Sequence, residues 1–292
     1  RLESVNVGGV IISNATLHNF DEIRKKNIQI GDVVEIQRAG DVIPQILRVI
    51  KKSTSKTKNI EPPKKCPVCG GATYKEKNEA VLRCTNTYGC YAQKISQIIH
   101  FISKKALNID GFGEKQAKQF YDLKLISNIF DIFHLKKHKN VIKNLDGWGV
   151  LSVENLINSI NQSKTISLEK FIYSLGIRFI GEINAEILAK ELKNINNFIL
   201  LSKDTMPLSN IDGLGPKAIS SIKDYFTYDQ NLSLIKNLSK ILDIEDNIIS
   251  NSKNFFNGKS IIFTGTLNTI SRDEAKHMAK EVGAKILSSV TK

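Results

Sequence analysis

The sequence predicts a multidomain α+β protein in which a small β-barrel, a four-cysteine zinc ribbon and an all-α domain of repeated helical hairpins follow one another. Three observations carry this prediction: β-rich runs fill residues 1–60, all four cysteines lie between Cys66 and Cys90, and glycine turns recur from residue 109 to residue 215. At 292 residues the chain is long enough for two or more separate cores.

Residues 1–60 predict the barrel. Val10, Val33 and Ile46 each belong to a run rich in Val and Ile, and pairs such as Gly8-Gly9 and Gly31-Asp32 mark turns between the runs. Closing many short strands into a barrel removes their exposed edges. The pattern therefore indicates a small barrel of the kind that binds oligonucleotides.

Residues 61–96 predict a structural zinc site. The cysteines follow the pattern Cys-x2-Cys, a spacer of 14 residues, then Cys-x5-Cys, which is typical of four-thiolate zinc ribbons. The alternative, two disulfides, is expected mainly in secreted proteins, and no secretory leader is evident. Four thiolates would fill the coordination sphere and leave no position for water, so the zinc is expected to be structural. The predicted ligands are Cys66, Cys69, Cys84 and Cys90.

Residues 97–250 predict four helical hairpins. Each contains a glycine turn that opens a helix, and the last glycines of the four turns lie 36, 32 and 34 residues apart, as expected for a repeated two-helix unit. The new helix begins with unpaired N–H groups and the positive end of its dipole, which suits a phosphate. The turn glycines predicted to contact a nucleic-acid backbone are Gly111, Gly113, Gly147, Gly149, Gly181, Gly213 and Gly215.

Two hairpins add a lysine to this pattern. Lys115 and Lys217 lie two residues past the last glycine, where a cation opposes the helix dipole unless an anion is bound. The net charge of +13 also favours a polyanionic partner, although a composition rich in Ile, Asn and Lys can reflect codon usage. A helical array that binds proteins is the alternative. In hairpins two and three, Leu151 and Phe179 break the pattern, so a packing role is an alternative for them; Trp148 is expected to lie in the core.

Several short segments of the sequence are similar to segments of a known protein family. Residues 15–19 (ATLHN), 30–32 (IGD) and 38–45 (RAGDVIPQ) closely resemble the OB-fold domain of bacterial NAD⁺-dependent DNA ligases. The cysteine pattern, with Ala92-Gln93 downstream, is similar to that family's zinc finger. Residues 263–267 (FTGTL) resemble the start of an α/β BRCT domain, so 251–292 is identified as a linker and the N-terminal part of that module. The resemblance covers the whole chain in the family's domain order.

The resemblance implies a function. It implies a monomeric bacterial enzyme of the cytoplasm and nucleoid that seals nicks in double-stranded DNA during replication and repair, using NAD⁺ and Mg²⁺ bound mainly outside this segment. Within the segment it implies that Arg38 contacts the nicked strand and that Val42 and Ile43 enter the minor groove, where apolar wedges distort base stacking. Without the resemblance, Val42 and Ile43 would be assigned to an ordinary strand interior.

The sequence departs from the complete family pattern in one respect. The adenylation motif Lys-x-Asp-Gly, whose lysine takes AMP from NAD⁺ in that family, does not occur in residues 1–292. We therefore expect the chain to begin after the adenylation domain, to stop within the BRCT module, and not to adenylate itself.

Other classes of protein remain as alternatives. A non-catalytic DNA-repair scaffold could combine the same modules, and a zinc-ribbon barrel of the RNA machinery would account for residues 1–96 but not for the hairpins. No uninterrupted apolar run approaches the ~20 residues that span a bilayer, so no membrane partner is expected.

Overall fold

A computed structural model gives the architecture of the chain. It describes residues 1–39, 43–54, 60–77, 79–247, 256, 258–265, 267 and 269–287. The chain divides into two compact units, Arg1–Lys94 and Ile95–Lys292.

The first unit consists mainly of short antiparallel strand pairs. Its strands are β1 (Val5–Val7), β2 (Val10–Ile12), β3 (Val33–Ala39), β4 (Ile43–Lys51), β5 (Thr73–Tyr74) and β6 (Arg83–Cys84), and its first helix is α1 (Phe20–Lys25). Each strand pairs with its neighbour in sequence, β1 with β2, β3 with β4 and β5 with β6. A parallel bridge between Thr16 and Gln45 joins the segment before α1 to β4.

The small core of residues 1–60 accounts for the segment 15–19 (ATLHN). Ile23, Ile28 and Ile46 are buried, and Leu17 and Phe20 pack against them. Asn19, the last residue of this segment, is the N-cap of α1, because its side chain accepts a hydrogen bond from the Glu22 N–H at 2.9 Å.

Asp32 ties the start of β3 to the end of β4. Its carboxylate accepts hydrogen bonds from the backbone N–H groups of Ser53 and Gln29, both at 2.9 Å, and from Lys52 Nζ at 3.0 Å. The Ser53 hydrogen bond is the main cause that holds the pKa of Asp32 below its ordinary value. Asp32 in the segment 30–32 (IGD) therefore has a structural role, because its carboxylate holds these two strand ends together.

The second unit is predominantly helical. Its helices, with α2 beginning just before it, are α2 (Tyr91–Ile102), α3 (Glu114–Asp122), α4 (Lys139–Ile142), α5 (Val150–Gln162), α6 (Leu168–Ser174), α7 (Glu182–Leu192), α8 (Ile195–Leu200), α9 (Pro216–Phe226), α10 (Asp229–Leu238) and α11 (Arg272–Glu281). Two 3₁₀ helices span Ile129–His138 and Met206–Asn210. Strands β7 (Thr165–Ser167) and β8 (Asp243–Glu245) pair in parallel, and so do β9 (Ser260–Ile261) and β10 (Lys285–Ile286).

One apolar cluster runs through the hairpins from Ile98 to Leu242. Its fully buried aromatic rings are Phe101, Phe120, Phe171 and Phe198. Trp148 packs against this cluster with its ring centroid 5.2 Å from that of Phe120, while its Nε1–H donates to Gln119 Oε1 at 3.1 Å. Trp148 thus packs against the core, as predicted, but remains partly exposed.

The described part of residues 251–292 is an α/β unit. Strand β9 is followed by α11 and then by β10, which pairs with β9 in parallel. Arg272 at the start of α11 donates from Nη2 to the Gly265 carbonyl at 2.6 Å. The alternation of strand, helix and strand agrees with the α/β module that the sequence predicted.

Candidate metal centre and nucleic-acid interface

The four cysteine sulfurs form one cluster, in which all lie within 4.8 Å of one another. A tetrahedral zinc ion with Zn–S bonds of 2.3 Å separates its sulfurs by about 3.8 Å, so the cluster has the size of a zinc site. Cys66 and Cys90 are buried, and Cys69 and Cys84 are partly exposed. The four predicted ligands are therefore brought together.

Tight turns position these sulfurs. The Cys66 N–H donates to the Gly71 carbonyl at 2.7 Å and the Gly70 N–H to the Cys66 carbonyl at 2.9 Å, which folds the first pair into a knuckle. The Gly71 N–H points at Cys69 Sγ, 3.4 Å away. A Cβ at Gly71 would lie 3.3 Å from Cys69 Sγ and 3.1 Å from the Asn86 Cβ, so glycine lets the two turns approach each other.

The chemistry of the cluster favours a cation over disulfides. Cys69 Sγ and Cys84 Sγ are 3.4 Å apart and all four cysteines are free, whereas a disulfide bond is about 2.05 Å long. Hydrogen bonds from the Cys69 and Val68 backbone lower the pKa of the Cys66 thiol to about 7. An Asn86 backbone hydrogen bond lowers the pKa of Cys84, but burial and the neighbouring Cys69 and Cys66 thiols outweigh it and raise that pKa to about 11. Burial and the neighbouring thiols thus oppose the ionisation of a second cysteine unless a cation is bound.

The four glycine turns have one repeated geometry, as the sequence predicted. The last glycine of each turn is the N-cap of a helix and has extended backbone; these residues are Gly113 of α3, Gly149 of α5, Gly181 of α7 and Gly215 of α9. The residue two positions earlier has a positive φ in every turn, namely Gly111 (76°), Gly147 (78°), Phe179 (61°) and Gly213 (81°). The residue between them is buried in three turns and partly buried at Trp148.

The turns leave space in front of the helix ends. A Cβ built at most of the turn glycines would meet nothing within 4 Å; these positions are Gly111, Gly147, Gly149, Gly181 and Gly215. The apolar residue in the middle of each turn packs toward the core. The Gly113 and Gly149 N–H groups donate within their own turns, to Gln116 Oε1 at 3.3 Å and to Ser152 Oγ at 2.8 Å. The space at the open glycines leaves room for an anion to approach the helix N-terminus.

The second residue of each helix divides the hairpins into two kinds. Lys115 and Lys217 are exposed in hairpins one and four. At the equivalent position hairpins two and three carry Leu151 and Ile183, which are 70% and 76% exposed. The charge that the outer hairpins present at this position is thus replaced by apolar surface in the inner ones.

Two candidate contacts in the first unit, Arg38 and Ile43, lie near the end of β3 and at the start of β4. Arg38 pairs with Pro44 in the ladder, and Ile43 begins β4 with 58% of its surface exposed. Val42 lies outside the described residues. The exposure of Ile43 argues against assigning it to an ordinary strand interior.

The backbone conformation and surroundings of Phe179, in the candidate nucleic-acid interface, were not predicted from the sequence. Phe179 was identified only as a departure from the glycine pattern, whereas the structure places it in the left-handed backbone region beside Lys217. The signal was the alignment of the four turns, because a residue aligned with three positive-φ glycines is expected to share their backbone conformation.

Among the described residues, no helix is both long enough and apolar enough to cross a lipid bilayer.

Comparison with protein families identifies four successive parts of the chain. Residues 1–58 match the NAD-dependent DNA ligase OB-fold domain, and residues 65–92 match the NAD-dependent DNA ligase C4 zinc finger domain. Residues 170–235 match the helix-hairpin-helix motif, and residues 251–292 match the BRCT domain. The chain belongs to the NAD-dependent DNA ligase family.

Relatives within this family match the chain along its whole length. It is 45% identical to the DNA ligase of Rickettsia bellii (strain OSU 85-389) over 304 residues and 48% identical to that of Pelagibacter ubique (strain HTCC1062) over 302 residues. The match covers 100% of this chain but 44% of each relative. The predicted membership, with its four domain types and its structural zinc, is confirmed by these matches and by the cysteine cluster.

Proposed function

We propose that this chain is the DNA-gripping part of an NAD⁺-dependent DNA ligase, which seals 5′-phosphate to 3′-hydroxyl nicks in duplex DNA during replication and repair. Its role would be to bind and bend the nicked duplex as a monomer in the bacterial cytoplasm, at the nucleoid. NAD⁺ would supply the AMP that activates the 5′-phosphate, and Mg²⁺ would neutralise charge in the phosphoryl transfers; both would be bound mainly outside this segment.

The observation that carries the proposal is the fourfold turn geometry. The final glycine of each turn is the N-cap of a helix, and at three of the four, Gly149, Gly181 and Gly215, an added Cβ would meet nothing within 4 Å, so a phosphate has room to approach. Four such turns on a chain of net charge +13 would bind several phosphates of one backbone without reading its sequence. A ligase needs such contacts because nicks occur in any sequence.

Residues 1–60 would act at the nick itself. Arg38 would anchor the nicked strand, and Val42 with Ile43 would enter the minor groove beside it. The exposed Ile43 supports this role, because an apolar side chain at a strand turn can unstack base pairs while a neighbouring arginine holds phosphate. The distortion would expose the ends that are to be joined.

The zinc ribbon would brace the chain without taking part in chemistry. Cys66, Cys69, Cys84 and Cys90 would supply four thiolates to one Zn²⁺, which leaves no open coordination position. We propose domain limits of 1–60 for the OB fold, 61–96 for the zinc finger, 97–250 for the hairpins, and 251–292 for a linker with the N-terminal part of the BRCT module.

A competition experiment tests the proposal. The chain is titrated into a nicked duplex carrying a 5′-phosphate, its intact counterpart and the matching single strand, each with a fluorescent label. We expect the nicked duplex to bind most tightly and the single strand most weakly. Preference for the single strand would contradict the proposal and would favour an independent strand-binding protein.

A pair of variants separates the nick contact from general charge. Arg38→Ala is expected to weaken binding to nicked duplex by about tenfold, roughly the effect of losing one well-placed charged contact. Arg48→Ala removes the same charge from the partner strand, where Arg48 pairs with Glu35 at 2.6 Å, and should change binding less than about twofold. Equal losses in the two variants would indicate a nonspecific electrostatic effect.

A further inference from the structure

The third hairpin turn contains an unusual backbone conformation. Phe179 has a φ of 61°, in the place where the other three turns have glycine at 76° to 81°. A bulky side chain is rarely found in this region, because its Cβ crowds the neighbouring backbone. Glycine at this position would remove the crowding. The backbone conformation of Phe179 is therefore one that its own side chain disfavours.

The environment of the Phe179 ring is cationic. The guanidinium carbon of Arg178 lies 4.5 Å from the ring centroid, and Lys217 Nζ lies 5.5 Å from it. Both distances fall within the range of cation–π attraction. Lys217 belongs to the first turn of α9 in hairpin four, so one ring from hairpin three contacts the candidate phosphate ligand of the next hairpin.

This arrangement restrains Lys217, the exposed cation of the pair. The negative face of the ring attracts each of these cations. A lysine side chain otherwise loses considerable rotamer freedom when it binds a ligand. A ring that already restrains the exposed Lys217 reduces this loss, and a phosphate beside Lys217 would satisfy the charge that the ring only partly balances.

We infer that Phe179 is a positioning residue of the DNA interface, which holds Lys217 ready for a backbone phosphate and thereby couples hairpins three and four. Phe179 contributes through its aromatic face and acts on DNA through Lys217. This inference rests on the proposed function, because the phosphate belongs to the bound duplex.

Substitutions at residue 179 test the aromatic requirement. Phe179→Leu keeps an apolar side chain but removes the aromatic face, and we expect it to weaken binding to nicked duplex by about fivefold. Phe179→Tyr keeps the face and should bind within about twofold of the unchanged chain. Phe179→Gly relieves the backbone and should melt no lower than the unchanged chain while binding as weakly as Phe179→Leu. Wild-type affinity in Phe179→Leu would overturn the inference.

A double-mutant cycle tests the route through Lys217. If Phe179 acts by positioning Lys217, most of the loss caused by Phe179→Leu should disappear when Lys217→Ala is already present. An undiminished loss in that background would overturn the inference while leaving the proposed function intact. If the unchanged chain itself fails to prefer duplex DNA, the proposed function fails first, so the two failures are distinguishable.

Discussion

The cysteine ribbon and the helical hairpins place glycine turns in opposite electrostatic surroundings. In the ribbon, Gly71 directs its N–H at Cys69 Sγ and lets thiols converge on a cation site. In the hairpins, Gly149 and Gly215 are helix N-caps with open space where a Cβ would lie, and the positive end of the helix dipole there suits an anion. The sign of the charge that a turn favours is thus set by what surrounds the glycine and not by the turn itself.

The two regions also differ in what stabilises them. Among the described residues from 60 to 94, the buried apolar positions are Cys66 and Cys90. The hairpins instead share a continuous cluster with four fully buried phenylalanines. We therefore expect the ribbon to depend on its metal and the hairpins to be independent of it.

Removing zinc should produce the largest effect. Chelation or Cys66→Ser is expected to unfold the ribbon, because structural zinc contributes about 10 kcal/mol or more to the folding of such modules at neutral pH. The hairpin domain should keep its own melting transition. Metal analysis and amide spectra check this outcome. Val68→Ala in the same knuckle, where Val68 is 53% exposed, is the matched control.

Retained zinc stoichiometry together with unchanged melting in Cys66→Ser would contradict the account of the ribbon. Loss of the hairpin transition on chelation would contradict the expected independence of the two regions.

A core substitution in the hairpins should have the next largest effect. Phe120→Ala removes a ring with 0% exposure and is expected to lower the free energy of unfolding of the hairpins by about 3–5 kcal/mol without loss of zinc. Leu123→Ala, at a position 47% exposed, should cost less than about 1 kcal/mol. Denaturant melts compare the two variants. A similar cost for both would mean that the cluster does not stabilise the hairpins as described.

Removing the two first-turn lysines should have the smallest effect, visible in binding alone. Lys115→Ala with Lys217→Ala is expected to reduce the dependence of log affinity on log salt by up to about two phosphate contacts. Lys190→Ala with Lys223→Ala removes equal charge from the last turns of α7 and α9 and should leave most of the slope. Equal changes in the two double variants would assign all four lysines to general surface charge.

Sequence alone predicted the features that depend on local spacing. The cysteine pattern and the turn glycines are short-range constraints, so the clustered sulfurs and the helix N-caps agree with the predictions. Strand-rich character was also evident in residues 1–60, but pairings such as the Thr16–Gln45 bridge depend on tertiary contacts that periodicity does not encode.

The remaining features depend on side-chain surroundings. Sequence indicated that hairpins two and three lack the lysine, but the exposure of Leu151 and Ile183 is set by how the helices pack. Phe179 broke the glycine pattern in sequence, and its contact with Lys217 depends on the approach of the next hairpin. Roles for Arg38, Val42 and Ile43 came from family resemblance, and they stay predictions.

Amide chemical shifts measured on adding nicked duplex test the central claim most directly. If the hairpin turns bind the DNA backbone through helix N-termini, the shifts should change at the first-turn N–H groups that follow Gly113, Gly149 and Gly181 and, because Pro216 has no N–H, at Lys217 in α9. The shifts should change much less at the opposite ends of α3, α5, α7 and α9. Tight binding that leaves the first-turn N–H groups unchanged would contradict the account.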